Sequence, residues 1–355
     1  MGNAITAADT TTNKGAELHV YVSVSGENRL AHYRLDTDSG ALTADEGIEL
    51  KGAPGAQTVS RDKQFLYVAD RTSGSVVTLK IDANTGGLSI AGSTPVVGNP
   101  VYVSLDRTGR HLLTAYYTGD KAAVFPINGD GTVGAKPSSV LDTKQNPHSI
   151  LIDGDNRVVY VPNTGADVIK QYRFDAERGT LAPHDVPEVA TAAGDGPRHV
   201  WLHPKLPVVY FVNEKSSSVS AYRRDASGSL SLLQNVSTLP DDFSGRNTCA
   251  DLELSAMGEF LYASNRGHDS IAAYRVEAKD GRLTPIGRFA TEATPRSFNL
   301  APGGRFLVAA GQGSGRLAVY RVHPESGELT RLETYDVGKS PAWVQIVPIG
   351  TPTER

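Results

Sequence analysis

The amino-acid sequence predicts an all-β fold. It reads as a seven-bladed β-propeller with four antiparallel strands per blade, its ring closed by the C-terminal strand joining the N-terminal blade. Three observations carry this. First, one unit recurs seven times, and its aromatic slot falls on Tyr33, Leu79, Phe125, Tyr172, Tyr222, Tyr274 and Tyr320, at spacings of 46, 46, 47, 50, 52 and 46 residues. A period of about 40 to 50 residues with several short strands per unit is the signature of propeller blades. Second, apolar residues alternate with period 2 and no comparable window has helical spacing, so helix content should be close to nil. Third, the two ends are out of phase with the repeat. The first unit starts without an inner strand, and a spare inner-type segment, "PAWVQIVP" (341–348), follows the last one. Pairing that segment beside residues 19–24 removes two open sheet edges.

Within one repeat the strands follow in order from the core outwards. "PRHVWLHP" supplies the inner strand A, "VVYFVN" strand B, "SVSAYRRD" strand C and "SLSLLQNVS" strand D. Asp- and Gly-bearing segments such as "DTDSG", "DANTG" and "DASG" between C and D read as hairpin turns. The 36 glycines and 20 prolines suit a chain with this many reversals. The division expected is a disordered tail over 1–17, one propeller over 18–349 and a short C-terminal tail over 350–355.

Composition narrows the function. A net charge of −4 and a pI near 6.1 give no general attraction for nucleic acid or an anionic membrane surface. No apolar run approaches the roughly 18 residues of a membrane span. The opening "MGNAITAADTTTNKG" has neither the basic nor the apolar region of a signal peptide. A single cysteine, Cys249, rules out an intrachain disulfide. The expectation is a cytoplasmic protein, monomeric or weakly self-associating, with a removed leader peptide as the open alternative. No P-loop, HExxH, paired cysteines or G-x-S-x-G is present, and the histidines show no metal-ligand spacing, so neither metal nor cofactor is expected.

The chemistry concentrates on one rim. In an antiparallel blade the start of strand A and the end of strand B lie on the same face, around the channel mouth. The A-strand starts carry Tyr102, Asn146 and His148 ("NPHS"), Arg198 and His199 ("GPRH"), Asp251 ("CADL"), Arg296 ("TPRS") and Trp343. The B-strand ends carry Tyr116, Tyr117, Asn163, Asn213, Glu214 ("VNEK"), Asn265, Arg266 ("SNRG") and Gln312. Arginines, a histidine and carboxylates from separate blades therefore converge. His148, Arg198, Glu214 and Arg266 are the catalytic candidates. Tyr102, Tyr116, Asn146, Asn213, Asp251, Asn265, Arg296 and Gln312 are the substrate-binding candidates. Strand alternation turns His199 away from Arg198, so His199 reads as packing. Glu253 should share the face of Asp251 deeper in the channel, and His268 and Asp269 should be structural. Such a set suits ester chemistry on an anionic substrate, with His148 or Glu214 as base and arginines as oxyanion donors.

Seven repeats with "PHS", "GPRH", "NE", "SNRGHDSIAAYRV" and "TPRSF" resemble the lactonase family of seven-bladed propellers, over about residues 18–348. The resemblance implies a metal-independent active site at the channel mouth, with His148, Arg198, Glu214 and Arg266 at the positions proposed as catalytic in the family. It implies a small polar or anionic lactone as partner. The leading activity is hydrolysis of a sugar lactone of the 6-phosphogluconolactone kind. The alternatives are a lactone-forming cycloisomerase of the carboxymuconate type and a non-catalytic binding propeller.

Overall fold

A computed structural model describes residues 17–350 of the chain. The expected tails therefore lie outside the described residues, except Glu17 and Gly350. Glu17 already belongs to the first strand.

Seven four-stranded antiparallel sheets are present, and apart from one short 3-10 turn at Ser25–Glu27 there is no helix among the described residues. Blades 2 to 7 each run in simple sequence order. Blade 1 is composite: the C-terminal strand Pro341–Ile349 is its strand A and pairs with Glu17–Val24 as strand B, placing Tyr21 opposite Gln345. The other A strands are Pro54–Val59, Tyr102–Leu105, Leu151–Ile152, Pro197–Leu202, Thr248–Leu254 and Pro295–Leu300, in blades 2 to 7.

Burial falls from the middle of each blade to its rim. Strand B of blade 5, Val208–Asn213, is buried at every position, while the outer strand Leu42–Glu49 of blade 1 is mostly exposed. Neighbouring blades share apolar layers, for example Val20 and Val22 of blade 1 against Val308, Ala310 and Leu317 of blade 7. Burial of these layers is the main stabilising term.

A hydrogen bond latches successive blades at the end remote from the mouth. Tyr21, Tyr67, Tyr160, Tyr210 and Tyr262 each donate a buried hydroxyl to a glycine carbonyl in the C–D turn of the next blade, at 2.6–2.9 Å. The first of these glycines, Gly86, has φ +66°, and a Cβ there would sit 2.2 Å from the His19 ring. Only glycine fits so close a turn.

The A strands are not regular at the mouth. Bulges interrupt pairing between Pro54 and Gln57, Pro197 and His199, Cys249 and Leu252, and Pro295 and Ser297, with another where Pro341–Ile349 meets Val24. In blade 4 the regular strand is reduced to Leu151–Ile152, and Pro147 is held to Asn163 by an isolated bridge. Each bulge leaves one or two residues outside the ladder and re-aims their side chains.

Candidate active site

Those unladdered residues build the site. In repeats 2 to 7 the position 24 residues before the aromatic slot holds Gly55, Val101, His148, Arg198, Ala250 and Arg296, and it is bulged in blades 2, 5, 6 and 7; ring closure puts Ala342 at the matching bulge of blade 1. Six of the seven line an open cavity at the channel mouth, together with Ala56, Arg71, His199 and Trp343. A second slot, eight residues before the marker at the end of strand B, holds Glu214, Arg266 and Arg71 in their repeats.

Arg198 is the centre of the network and only 2% exposed. Its Nη1 donates to the Ala250 carbonyl and to His199 Nε2, the latter at 3.1 Å. His199 Nδ1 in turn donates to Asp251 Oδ1 at 2.8 Å, which fixes the tautomer because Nε2 is already accepting. Asp251 is itself held by the backbone N–H groups of Leu252 and Phe298. Burial, reinforced by Arg198, pushes the His199 pKa down to about 4 against the pull of Asp251, so the ring is neutral at pH 7. Burial also lowers the Arg198 pKa, to about 9, and Glu214 works against that shift.

Glu214 lies between two guanidiniums. Its Oε1 accepts from Arg266 Nη2 at 2.7 Å, and its Oε2 is 3.2 Å from Arg198 Nε, an ion pair without hydrogen-bond alignment. Burial alone would raise this carboxyl, but Arg198 and Arg266 outweigh it and hold it below the ordinary carboxylate value. Arg266 spends the same Nη2 on the Cys249 carbonyl at 2.9 Å.

His148 is different in kind. No protein group hydrogen-bonds its ring among the described residues, its Nδ1 is buried without a partner, and Tyr117 and His199 pack against it at 5.5 and 5.3 Å between ring centroids. Burial first, then Arg198 and His199, drive its pKa well below 6.5. It is a neutral imidazole with a free lone pair, lining the cavity beside Arg198.

A family model described as "Lactonase, 7-bladed beta-propeller" matches residues 19–346. Among named relatives, the 6-phosphogluconolactonase of Yersinia pseudotuberculosis is 37% identical over 329 residues, covering 92% of this chain and 97% of that protein. That of Serratia proteamaculans is 36% identical over the same share of this chain and 98% of its own length. The chain belongs to the seven-bladed lactonase family. Among solved structures, the periplasmic gluconolactonase of Pseudomonas aeruginosa superposes with a TM-score of 0.88 at 27% identity, covering 95% of this chain and all of that one.

In this lactonase-family chain the four catalytic candidates form one connected group on one face. His148 and Arg198 line the cavity, and Glu214 joins Arg198 to Arg266 by ion pairs. Arg296 lines the cavity, Asp251 orients His199, and Tyr102 packs edge-on to His199 and Trp343 at 5.3 and 5.6 Å. Other expectations are corrected. His199 is not packing: the bulge between Pro197 and His199 breaks the alternation, so both Arg198 and His199 face the cavity. Asn213 and Asn265 are fully buried and hold the B–C turns, Asn213 through Ser218 and Ser220, Asn265 through Thr238, Asn247 and Ser270. Asn146, at φ 58°, caps a turn through the Tyr117 carbonyl, and the Tyr116 phenol accepts from Thr114 inside the core, leaving Tyr117 as the aromatic beside His148. Gln312 is half-buried outside the cavity wall, its backbone N–H on the Thr294 carbonyl. Sequence reasoning missed Arg71, although it occupies the same repeat slot as Arg266.

One group of potential metal ligands exists among the described residues, His19, His32 and Asp45, and sequence spacing had not grouped them. It lies at the other end of blade 1's strand B from the cavity. Within it the two rings share a 2.8 Å hydrogen bond and Arg34 donates to Asp45, while His19 Nε2 is buried without a hydrogen-bond partner. No helix among the described residues is long and apolar enough to cross a membrane.

Proposed function

We propose that this chain hydrolyses a phosphorylated sugar δ-lactone of the 6-phosphogluconolactone kind. The observation that carries the reading is the pairing, in one cavity, of a neutral unpartnered imidazole with a rigidly held guanidinium. His148 takes a proton from water, whose oxygen attacks the lactone carbonyl. Arg198, fixed by the Ala250 carbonyl, His199 and Glu214, receives the developing oxyanion. Collapse breaks the ring C–O bond, and His148 returns its proton to the departing ring oxygen, leaving a carboxylate and one released proton. Glu214 is the poorer base because both its oxygens are engaged by arginines that depress its pKa. The printed names of the Yersinia and Serratia relatives support this substrate, and the Pseudomonas neighbour supports a gluconolactone more generally. A phosphorylated sugar does not cross a membrane unaided, which supports a cytoplasmic setting for this substrate.

The test is acid release in a pH-stat from 6-phosphogluconolactone, corrected for spontaneous hydrolysis. Wild-type protein accelerates it, and His148→Asn loses about 100-fold or more in kcat, the usual worth of a general base. An unaffected His148→Asn enzyme removes His148 from the mechanism. A wild-type protein inert on every lactone offered removes the function.

A further inference from the structure

Two guanidiniums in the cavity have no task in the mechanism above. Arg71 and Arg296 line its wall, and neither has a hydrogen bond or ion pair among the described residues. Arg71 Nε is buried with no partner at all. Burial, then Arg266 and Arg71, push the Arg296 pKa down to about 10, so the two cations feel one another. Desolvating like charges without a counter-ion is costly, and a site that keeps them is built for charge that arrives with its ligand.

The surroundings agree. The cavity wall carries Arg71, Arg198 and Arg296 and no carboxylate. Glu214 is shared by Arg198 and Arg266, and Asp251 is committed to His199. Asp70, beside Arg71, turns into its own loop and accepts from the backbone of Thr72 and Ser73. With four arginines set against two carboxylates, two positive charges stay unmatched. A phosphate monoester carries about −1.5 to −2 at pH 7, and an unphosphorylated lactone carries none.

Space is reserved in the same sector. Blade 7 supplies Arg296 and blade 2 supplies Arg71. Between them the bulge position is reduced to Ala342 and Gly55, whereas on blades 4 and 5 it holds His148 and Arg198. Gly55 also gives Arg71 its path: a Cβ there would lie 2.9 Å from Arg71 Cδ. We propose that Arg71 and Arg296 form a subsite for the phosphate dianion of the substrate, spanning blades 7, 1 and 2, and that Arg71 sets the preference for phosphorylated over unphosphorylated lactones. The proposal rests on the lactone-hydrolase reading for its substrate, while the charge surplus itself does not depend on that reading.

The test compares 6-phosphogluconolactone with gluconolactone, and titrates 6-phosphogluconate against gluconate calorimetrically as a readout independent of turnover. In Arg71→Gln the ratio of kcat/KM for the two lactones falls by about 10-fold or more, the loss of one hydrogen bond to a charged group, and affinity for 6-phosphogluconate falls in step. Arg71→Lys restores part, because a point charge lacks the planar fork. Gly55→Ala, which retains the charge but displaces its stem, shifts the ratio in the same direction and serves where Arg71→Gln does not fold. An unchanged ratio and unchanged 6-phosphogluconate affinity in folded Arg71→Gln overturn the subsite. If wild type hydrolyses neither lactone, the hydrolase reading fails alone. The titration then still decides the subsite: 6-phosphogluconate bound by wild type and lost in Arg71→Gln supports it, and no binding by wild type overturns it.

Discussion

Glu253 illustrates how far a single side chain in this channel is set by its neighbours. Its Oε2 accepts from the Leu300 N–H at 2.8 Å and its Oε1 from Asn299 Nδ2 at 2.5 Å. Burial, then Asp251, nevertheless push its pKa up to about 8 from 4.5. At pH 7 it is therefore mostly protonated and adds no negative charge beneath the cavity, preserving the positive surplus at Arg71 and Arg296. The sign of its effect on stability follows by linkage. Between the two pKa values the native state holds a proton that the unfolded chain has released. The stability from this group is therefore complete below pH 4.5 and is lost as pH rises towards 8. The slope is at most about 1.4 kcal/mol per pH unit. Glu253→Gln cannot titrate, so denaturant unfolding of wild type minus mutant should show this decline across pH 5 to 8. A flat difference means Glu253 is ionised in the fold. At the same scale, Arg71 is marked by the repeat register alone. Arg71 in "VADRTSG" holds the slot of Arg266 in "ASNRGHD". The repeat register alone pointed to it, but the early repeats carry none of the family motifs that drew attention to the later ones.

At the scale of the strand, the repeat was legible because period-2 alternation and turn chemistry agree over all seven units. The bulges were not. Alternation assumes an unbroken ladder, and one extra residue after Pro197 or Pro295 shifts every assignment beyond it. That is why alternation alone puts His199 on the wrong face. The B-strand asparagines failed for a different reason. An Asn that caps a tight turn and an Asn that contacts a ligand are the same letter at the same position, and the burial of Asn213 and Asn265 decides for the turn. The tyrosine latches are likewise invisible to alternation, since a buried Tyr reads simply as apolar. Their worth is measurable. Tyr210→Phe keeps the ring but removes the hydroxyl donor to the Gly281 carbonyl, and should cost about 1 kcal/mol in urea unfolding. Tyr262→Phe removes the bond to Gly327 one blade on. The two losses should add to within about 0.5 kcal/mol if each latch acts separately. Turnover should stay normal in both, because the latches lie at the far end of the B strands from the cavity. A cost near zero would mean that water replaces the hydroxyl.

For the molecule as a whole, closure of the ring and completion of the site are the same event. Pro341–Ile349 hydrogen-bonds along Glu17–Val24, and its side chains Val344 and Ile346 join the layer shared with blade 7. The same strand carries Ala342 and Trp343 into the cavity wall, with Trp343 packed against Tyr102 and His199. Two ends of the chain that are far apart in sequence thus supply one blade and one side of the pocket. Such a contact closes a loop of nearly the whole chain, so the native ring should be all-or-none in it. A chain ending at Ser340 exposes the inner edge of the Glu17–Val24 strand, leaves the inner face of blade 7 uncovered and opens the cavity between Arg296 and Arg71. We expect it to unfold at a lower temperature than the full-length protein, to self-associate through the open edge, and to lose lactone turnover together with 6-phosphogluconate binding. Circular dichroism melting, light scattering and calorimetry read these three losses separately. A truncated chain that melts at the wild-type temperature but no longer binds the product would show that Pro341–Ile349 serves the site alone. A chain that still binds would show that the Arg71–Arg296 sector stands without blade 1's inner strand.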